Sequence, residues 1–223
     1  MHVCDLVLTA LVRLSLSPSP SLLLARPPRR FLHRDSPARA ALDAYVASLG
    51  LRRDCIAVHI RHGDSCHDPT KPYRKCYAVR QYVEAIRRVA AKYPTADGTK
   101  QQLFVASDDD KALIKLNATY GEEFDIVWQK SILRVQYDSK DGVDGRVELN
   151  TPAFAKEIYR DLWALGSCHA YIGTFSSAIG WAAYGRMTVQ RGMYRPFISL
   201  DLALADGKYL GRFVTRNSND RTR

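Results

Sequence analysis

Apolar positions along the central part of the chain follow two patterns, one typical of buried strands and one typical of amphipathic helices. Short continuous apolar runs, such as residues 55–60, are typical of strands buried on both faces of a parallel sheet. Segments with apolar residues three and four positions apart predict helices between these strands. The predicted helices are residues 37–49, 79–93, 109–120, 152–165 and 177–187, and the predicted strands are residues 55–60, 102–106, 124–128 and 169–173.

This alternation predicts an α/β fold with a Rossmann-like, doubly wound parallel sheet. We expect one main domain over residues 36–211, because a chain of 223 residues can bury one substantial core. Residues 129–149 are predicted to be a loop over the sheet edge, and residues 201–210 a last small element.

The two ends of the chain differ in composition from the centre. Residues 1–35 are rich in Ser, Pro and Arg, which predicts a disordered linker. Their apolar stretches are too interrupted for a membrane-spanning helix, and a degraded signal-anchor is the alternative, so any membrane attachment is expected there alone. Residues 212–223 are predicted to be a basic tail.

The net charge of +10 is concentrated at these ends. Residues 1–53 carry 8 Lys/Arg against 3 Asp/Glu, and residues 212–223 carry 4 against 1. The remaining residues, 54–211, carry 21 against 19. A nucleic-acid-binding core is therefore not supported, and we expect no nucleic-acid partner.

The five cysteines lack the paired spacing of zinc sites, whereas Cys66 and Cys76 would close a short loop suited to a disulfide. Asn117 begins an Asn-Ala-Thr glycosylation triplet. Both features favour a secretory compartment.

Polar residues follow the predicted strands, where the ligands of open α/β sheets bind. Arg61 follows the first strand, and its planar guanidinium suits bidentate contact with a diphosphate. The alternative is a salt bridge from Arg61 to Asp64 in the same turn. The residues alone leave these two readings open.

Two further strand ends carry candidate chemistry. Ser107 and Asp108 begin an acidic stretch that suits either a helix cap or a divalent metal bound to a nucleotide diphosphate; a metal is not needed if Arg61 neutralises the phosphates. Thr174-Phe175-Ser176-Ser177 opens a helix, where backbone N–H groups and hydroxyls form an anion site or a plain cap. Together with Arg61 these ends predict nucleotide binding.

The chain also resembles a known family through His59-Ile60-Arg61-His62-Gly63-Asp64, residues 105–109, Asp161 and the Thr174–Ser177 stretch. Their order and spacing resemble those of the α1,6-fucosyltransferases of N-glycan core modification and of the bacterial Nod-factor fucosyltransferases. The resemblance covers roughly residues 54–190 and is most specific at Thr174–Ser177 with the upstream Asp161.

The resemblance implies the C-terminal, nucleotide-sugar-binding lobe of a GT-B-type glycosyltransferase. Such an enzyme binds GDP-fucose without a metal or other cofactor and transfers fucose with inversion to the innermost N-acetylglucosamine of an N-glycan or glycoprotein acceptor. It also implies a location in the Golgi lumen.

The resemblance assigns roles to individual residues. Arg61 would hold the β-phosphate, and Asp161 would contact guanine or support the site. Asp64 and Asp109 would order the loop around these groups, and both are expected to take part in catalysis together with Arg61. The other expected donor-binding residues are His62, Asp108, Thr174, Phe175, Ser176 and Ser177.

Asp68 is the candidate base for transfer, with His67 as its competitor. The chain departs from the family at three positions, where His62 replaces an arginine, Ser65 a lysine and Ala178 a glutamine. About fifty residues precede the first strand, where the family has an acceptor-binding lobe. An O-fucosyltransferase and a catalytically inactive GDP-sugar-binding fragment are therefore the alternatives.

Overall fold

The computed structural model describes residues 36–66, 75–130 and 151–201, in which strands and helices alternate. The helices are α1 (Pro37–Ser48), α2 (Val79–Lys92), α3 (Asp110–Tyr120), α4 (Pro152–Leu165) and α5 (Ala178–Arg191), with a short 3-10 helix at Gly63–Cys66. The strands are β1 (Ile56–Ile60), β2 (Gln102–Ser107), β3 (Asp125–Val127), β4 (Ala170–Gly173) and β5 (Phe197–Ser199). Every helix and strand predicted from the sequence is present.

Several predictions concern residues outside this description. These are the linker at residues 1–35, the basic tail at residues 212–223, nearly all of the loop at residues 129–149 and nearly all of the element at residues 201–210. In the described ranges, no helix combines the length and the apolar character needed to cross a membrane.

The strands form one parallel sheet in the order β3-β2-β1-β4-β5. The predicted α/β fold with a doubly wound parallel sheet is therefore confirmed. The strand order reverses direction between β1 and β4, which opens a crevice at their carboxyl ends. Strand β5 was not predicted, because three residues after Pro196 are too short for a periodic signal.

Helices cover both faces of the sheet, and strand residues alternate between the two cores. Ile56, Val58 and Ile60 of β1 belong to the core beneath α2 and α3. Ala57 belongs to the opposite core, beneath α4 and α5. All five residues of β1 are buried, which explains its continuous apolar run.

Two disulfides tie the described residues together. Cys66 and Cys76 form the pair that the sequence suggested, next to the 3-10 helix. Cys55 and Cys168 form a second, fully buried pair that joins the residues leading into β1 and β4. This pair was not predicted, because 113 positions separate its cysteines in the sequence.

A cluster around Trp163 fixes α5 against α1 and α4. The indole Nε1 of Trp163 donates to Asp43 Oδ1 at 2.8 Å, and the guanidinium of Arg186 lies 3.4 Å from the centre of the Trp163 ring. Burial lowers the pKa of Arg186 to about 10, although Asp43 acts in the opposite direction. These contacts hold in place the helix whose first turn faces the crevice.

Candidate functional site

Arg61 and Asp108 are the first residues beyond β1 and β2, which are neighbours with Ile60 opposite Ser107. Arg61 Nη1 donates to Asp108 Oδ2, and the two side chains are 17% and 12% exposed. The alternative partner, Asp64, has a side chain outside the described residues, as has Asp68. Asp108, which was expected to bind the donor, is therefore one partner of Arg61 in the described structure.

His62 extends this network through its backbone and its ring. Its N–H donates to Asp108 Oδ1 at 2.9 Å, so Asp108 binds both residues of the turn. Its ring nitrogens lie 2.8 Å from Asp109 Oδ2 and 2.8 Å from the Tyr77 carbonyl oxygen. Both neighbours are acceptors, so the ring donates to both when it carries two protons.

Asp109 joins the Arg61 turn to α3. Its Oδ1 accepts from the Lys111 N–H at 2.9 Å and caps α3, while its Oδ2 faces His62. The expectation that Ser107 or Asp108 caps this helix was therefore wrong, although Ser107 Oγ accepts from the Asp109 N–H at 3.0 Å. Asp109 thus orders the loop, and a catalytic part for it stays a prediction.

Gly63 allows the turn to close over the ion pair. Its backbone φ is +25°, a value that residues other than glycine rarely adopt. A Cβ at this position would lie 2.4 Å from Asp108 Oδ2. The turn that orients Arg61 therefore depends on glycine.

Tyr82 of α2 links the Arg61 turn to the far side of the crevice. Its hydroxyl oxygen accepts from the Arg61 N–H at 3.4 Å. Burial raises the pKa of Tyr82, the hydrogen bond from Arg61 lowers it, and the carboxylates of Asp108 and Asp201 raise it further. Asp201, which lies just beyond β5, therefore shares one electrostatic environment with the ends of β1 and β2.

The turn after β4 consists of Thr174, Phe175, Ser176 and Ser177, and we call it the Thr174 turn. The N–H groups of Phe175 and Ser176 donate to Asp201 Oδ1 and Oδ2 at 2.8 Å and 3.2 Å. Ser176 Oγ also donates to Asp201 Oδ2. The groups of Phe175 and Ser176 that were expected to bind the donor thus already contact a carboxylate of the protein.

The sequence did not indicate Asp201 as a site residue, because the short strand β5 before it was not predicted. The residue follows the short apolar pair Phe197-Ile198, and this pattern of an apolar pair followed by polar residues was the available signal. It lies 25 positions beyond Ser176 in the sequence.

The rest of the Thr174 turn leads into α5. Ser177 is the N-cap residue, but its side chain makes no capping hydrogen bond, so a plain side-chain cap is not observed. Thr174 is 1% exposed, and its Oγ1 has no hydrogen-bond partner in the structure described. Asp201 makes no described hydrogen bond to the Thr174 hydroxyl or to the first helical turn of α5.

Tyr171 lies beneath the turn. Its hydroxyl is buried without a hydrogen-bond partner in the described part of the chain. A Cβ at Gly173 or Gly180 would approach it to 2.3 Å or 2.7 Å. The two glycines therefore form the slot that admits this hydroxyl at the base of the site.

Asp161 is half-buried on α4, which packs across β1 and β2. Its implied contact with guanine stays a prediction. Among the described residues, three groups able to hold a metal come together at His62, Cys66 and Cys76, within 4.8 Å of one another. Two of these are sulfurs of a disulfide and offer no thiolate ligand.

No known protein family matches the sequence, and no curated protein does. Solved structures similar to the chain include NodZ α-1,6-fucosyltransferase soaked with GDP-fucose, at 19% identity and a TM-score of 0.43 over 66% of this chain and 40% of that one. Fucosyltransferase NodZ from Bradyrhizobium matches at 20% identity and a TM-score of 0.41 over 66% and 40%. POFUT1 in complex with GDP matches at 14% identity and a TM-score of 0.46 over 73% and 47%. The chain spans less than half the length of these proteins. A function for the chain must therefore be argued from its own residues.

Proposed function

We propose that the chain is the donor-binding part of a fucosyltransferase and that it binds GDP-fucose at the carboxyl ends of β1 and β4. The observation that carries this proposal is the position of Arg61 and the Thr174 turn on either side of the point where the strand order reverses. The shared influence of Asp108 and Asp201 on Tyr82 supports one continuous site. The sequence resemblance supplies the identity of the nucleotide sugar.

The residues suit the chemistry of a departing nucleoside diphosphate. Negative charge grows on the diphosphate as the bond to the sugar breaks, and fixed donors that face it lower the barrier. Arg61 supplies a guanidinium held by Asp108, and the first turn of α5 supplies backbone dipoles. In this proposal the guanidinium replaces a metal ion, so no cofactor is required.

The finer proposal is α1,6-transfer to the core N-acetylglucosamine of N-glycans in the Golgi lumen, with Asp68 as the base. Its support is the sequence resemblance, together with two disulfides that suit an oxidising compartment. The alternative enzyme class is an O-fucosyltransferase, which uses a different acceptor and shares an arginine after the first strand.

A GDP-sugar-binding domain without transfer activity is the second candidate. The described contacts orient groups of the proposed donor site, while the candidate base lies outside the described residues. Donor binding and transfer therefore need separate tests.

Isothermal titration calorimetry with GDP tests donor binding. UDP is the control for recognition of the guanine nucleobase, and parallel titrations in EDTA and in Mg²⁺ test whether binding needs a metal ion. We expect GDP to bind with similar affinity in EDTA and in Mg²⁺, and UDP to bind more weakly. Absence of GDP binding would overturn both candidates. Incubation with GDP-fucose and either a truncated biantennary N-glycan or a protein acceptor, followed by mass spectrometry, then separates transfer from binding alone.

A further inference from the structure

The carboxylate of Asp201 accepts hydrogen bonds from residues at the carboxyl ends of β4 and β5. Its Oδ1 accepts from the Phe175 N–H at 2.8 Å and from Ser199 Oγ at 2.9 Å. Its Oδ2 accepts from the N–H of Ser176 at 3.2 Å and from the hydroxyl of the same residue. The last residue of β5 and the Thr174 turn are thus joined through one side chain.

This contact continues the hydrogen bonding of the sheet. Gly173 is paired with Ser199 in the register of β4 and β5, and the Leu200 N–H donates to the Gly173 carbonyl at 2.9 Å. Beyond the paired strands, the Asp201 carboxylate accepts hydrogen bonds from Phe175 and Ser176 of the Thr174 turn. The turn is therefore fixed to β5 at both its backbone and its Ser176 side chain.

A carboxylate beside a diphosphate site is unfavourable by Coulomb's law, since like charges repel. We propose that Asp201 is a positioning residue, whose hydrogen bonds fix the Thr174 turn so that the first turn of α5 faces the diphosphate. The proposal rests on the proposed function, because the ligand it concerns is the diphosphate of GDP. Asp201 itself does not contact the ligand.

The substitution Asp201→Asn separates charge repulsion from positioning of the turn, because the two predict opposite changes in GDP affinity. It removes a negative charge, which by charge alone would strengthen GDP binding. It also places an amide N–H donor against an N–H of the turn, since an asparagine side chain has only one oxygen. We expect the affinity for GDP, measured by calorimetry, to fall on the order of tenfold, because charge-assisted hydrogen bonds to the turn are lost.

A control must separate positioning from a general loss of stability. Gln102→Met removes the hydrogen bonds of Gln102 to the Arg52 N–H and to Asp125, at the opposite end of the sheet. We expect this variant to lower the melting temperature and to leave GDP affinity unchanged. An equal loss of affinity in Gln102→Met would overturn the positioning role.

The remaining outcomes also decide the matter. If the wild-type protein does not bind GDP, the proposed function fails and the role of Asp201 fails with it. If the wild type binds and Asp201→Asn binds equally or more tightly, the positioning role alone is overturned. Should Asp201→Asn not fold, Ser199→Ala removes one donor to the carboxylate, and we expect a smaller loss, about threefold; unchanged affinity there would also overturn the proposal.

Discussion

The guanidinium of Arg61 and the carboxylate of Asp108 form an ion pair across the carboxyl ends of β1 and β2. The second oxygen of Asp108 binds the N–H of His62, so the carboxylate holds both the side chain and the backbone of the arginine turn. Both side chains are largely buried, and removal of either breaks this charged contact in a region of reduced solvation. The guanidinium of Arg61 is therefore held in a fixed orientation.

The first prediction concerns Arg61→Ala, which removes the guanidinium from the proposed diphosphate site. We expect GDP binding to weaken by roughly 1.5–3 kcal/mol, the usual contribution of a charged hydrogen-bonded group. Calorimetry at constant ionic strength measures the change. Arg87→Ala is the matched control, because Arg87 lies on α2 and its loss removes the same charge from an exposed pair with Glu123. Equal affinity in the wild type and Arg61→Ala would contradict the assignment of Arg61.

The second prediction uses two glycines with positive φ. Gly63 and Gly98 have φ of +25° and +68°, but an added Cβ meets Asp108 at the first position and nothing within 4 Å at the second. Gly98→Ala should therefore cost only the backbone strain, about 1–2 kcal/mol in the free energy of unfolding. We expect Gly63→Ala to cost more than Gly98→Ala and also to weaken GDP binding, because it displaces the partner of Arg61.

Urea denaturation followed by circular dichroism measures the stability of both variants, and calorimetry measures GDP affinity. A Gly63→Ala protein with wild-type affinity would show that the turn does not orient Arg61.

The sequence was sufficient for those parts of the fold that depend on local patterns. The buried run of β1 and the amphipathic period of α2 each predict an element without reference to the rest of the chain. The position of Arg61 at the end of a central strand followed directly from these elements. The carboxyl edge of the sheet could thus be identified as the candidate site.

Pairings between distant segments could not be predicted in this way. Arg61 pairs with Asp108, which lies just beyond β2, and Cys55 is bonded to Cys168. The register of parallel strands decides both pairings, and a single sequence does not contain it. Asp201 was missed for the same reason, because its contacts depend on the pairing of β5 with β4.

The third prediction concerns the order in which the two disulfides are reduced. Cys76 is exposed, whereas Cys55 and Cys168 are fully buried. A reductant should therefore reach the Cys66–Cys76 bond in the folded protein and the Cys55–Cys168 bond only after unfolding. Alkylation of the released thiols and peptide mass spectrometry measure this order, and early labelling of Cys168 would contradict it.

The final prediction concerns alkaline stability. Burial raises the pKa of Tyr184 to about 12, and burial also raises the pKa of Tyr82 and Tyr171. In the unfolded chain these phenols ionise near the ordinary tyrosine pKa of 10.0. Because the folded values are the higher ones, the stability that these neutral phenols contribute is complete below about pH 10. The contribution of Tyr184 is lost as the pH rises from about 10 through about 12, and those of Tyr82 and Tyr171 are lost at higher pH.

Absorbance at 295 nm during a titration with base measures this effect, since it reports the fraction of ionised tyrosine. We expect an early reversible phase from exposed tyrosines and a late phase that coincides with loss of the circular dichroism signal. Tyr171→Phe should reduce the amplitude of the late phase and leave that of the early phase unchanged. Ionisation of Tyr171 before unfolding would mean that water reaches its hydroxyl in the slot between Gly173 and Gly180, and that the Thr174 turn above it opens in the folded protein.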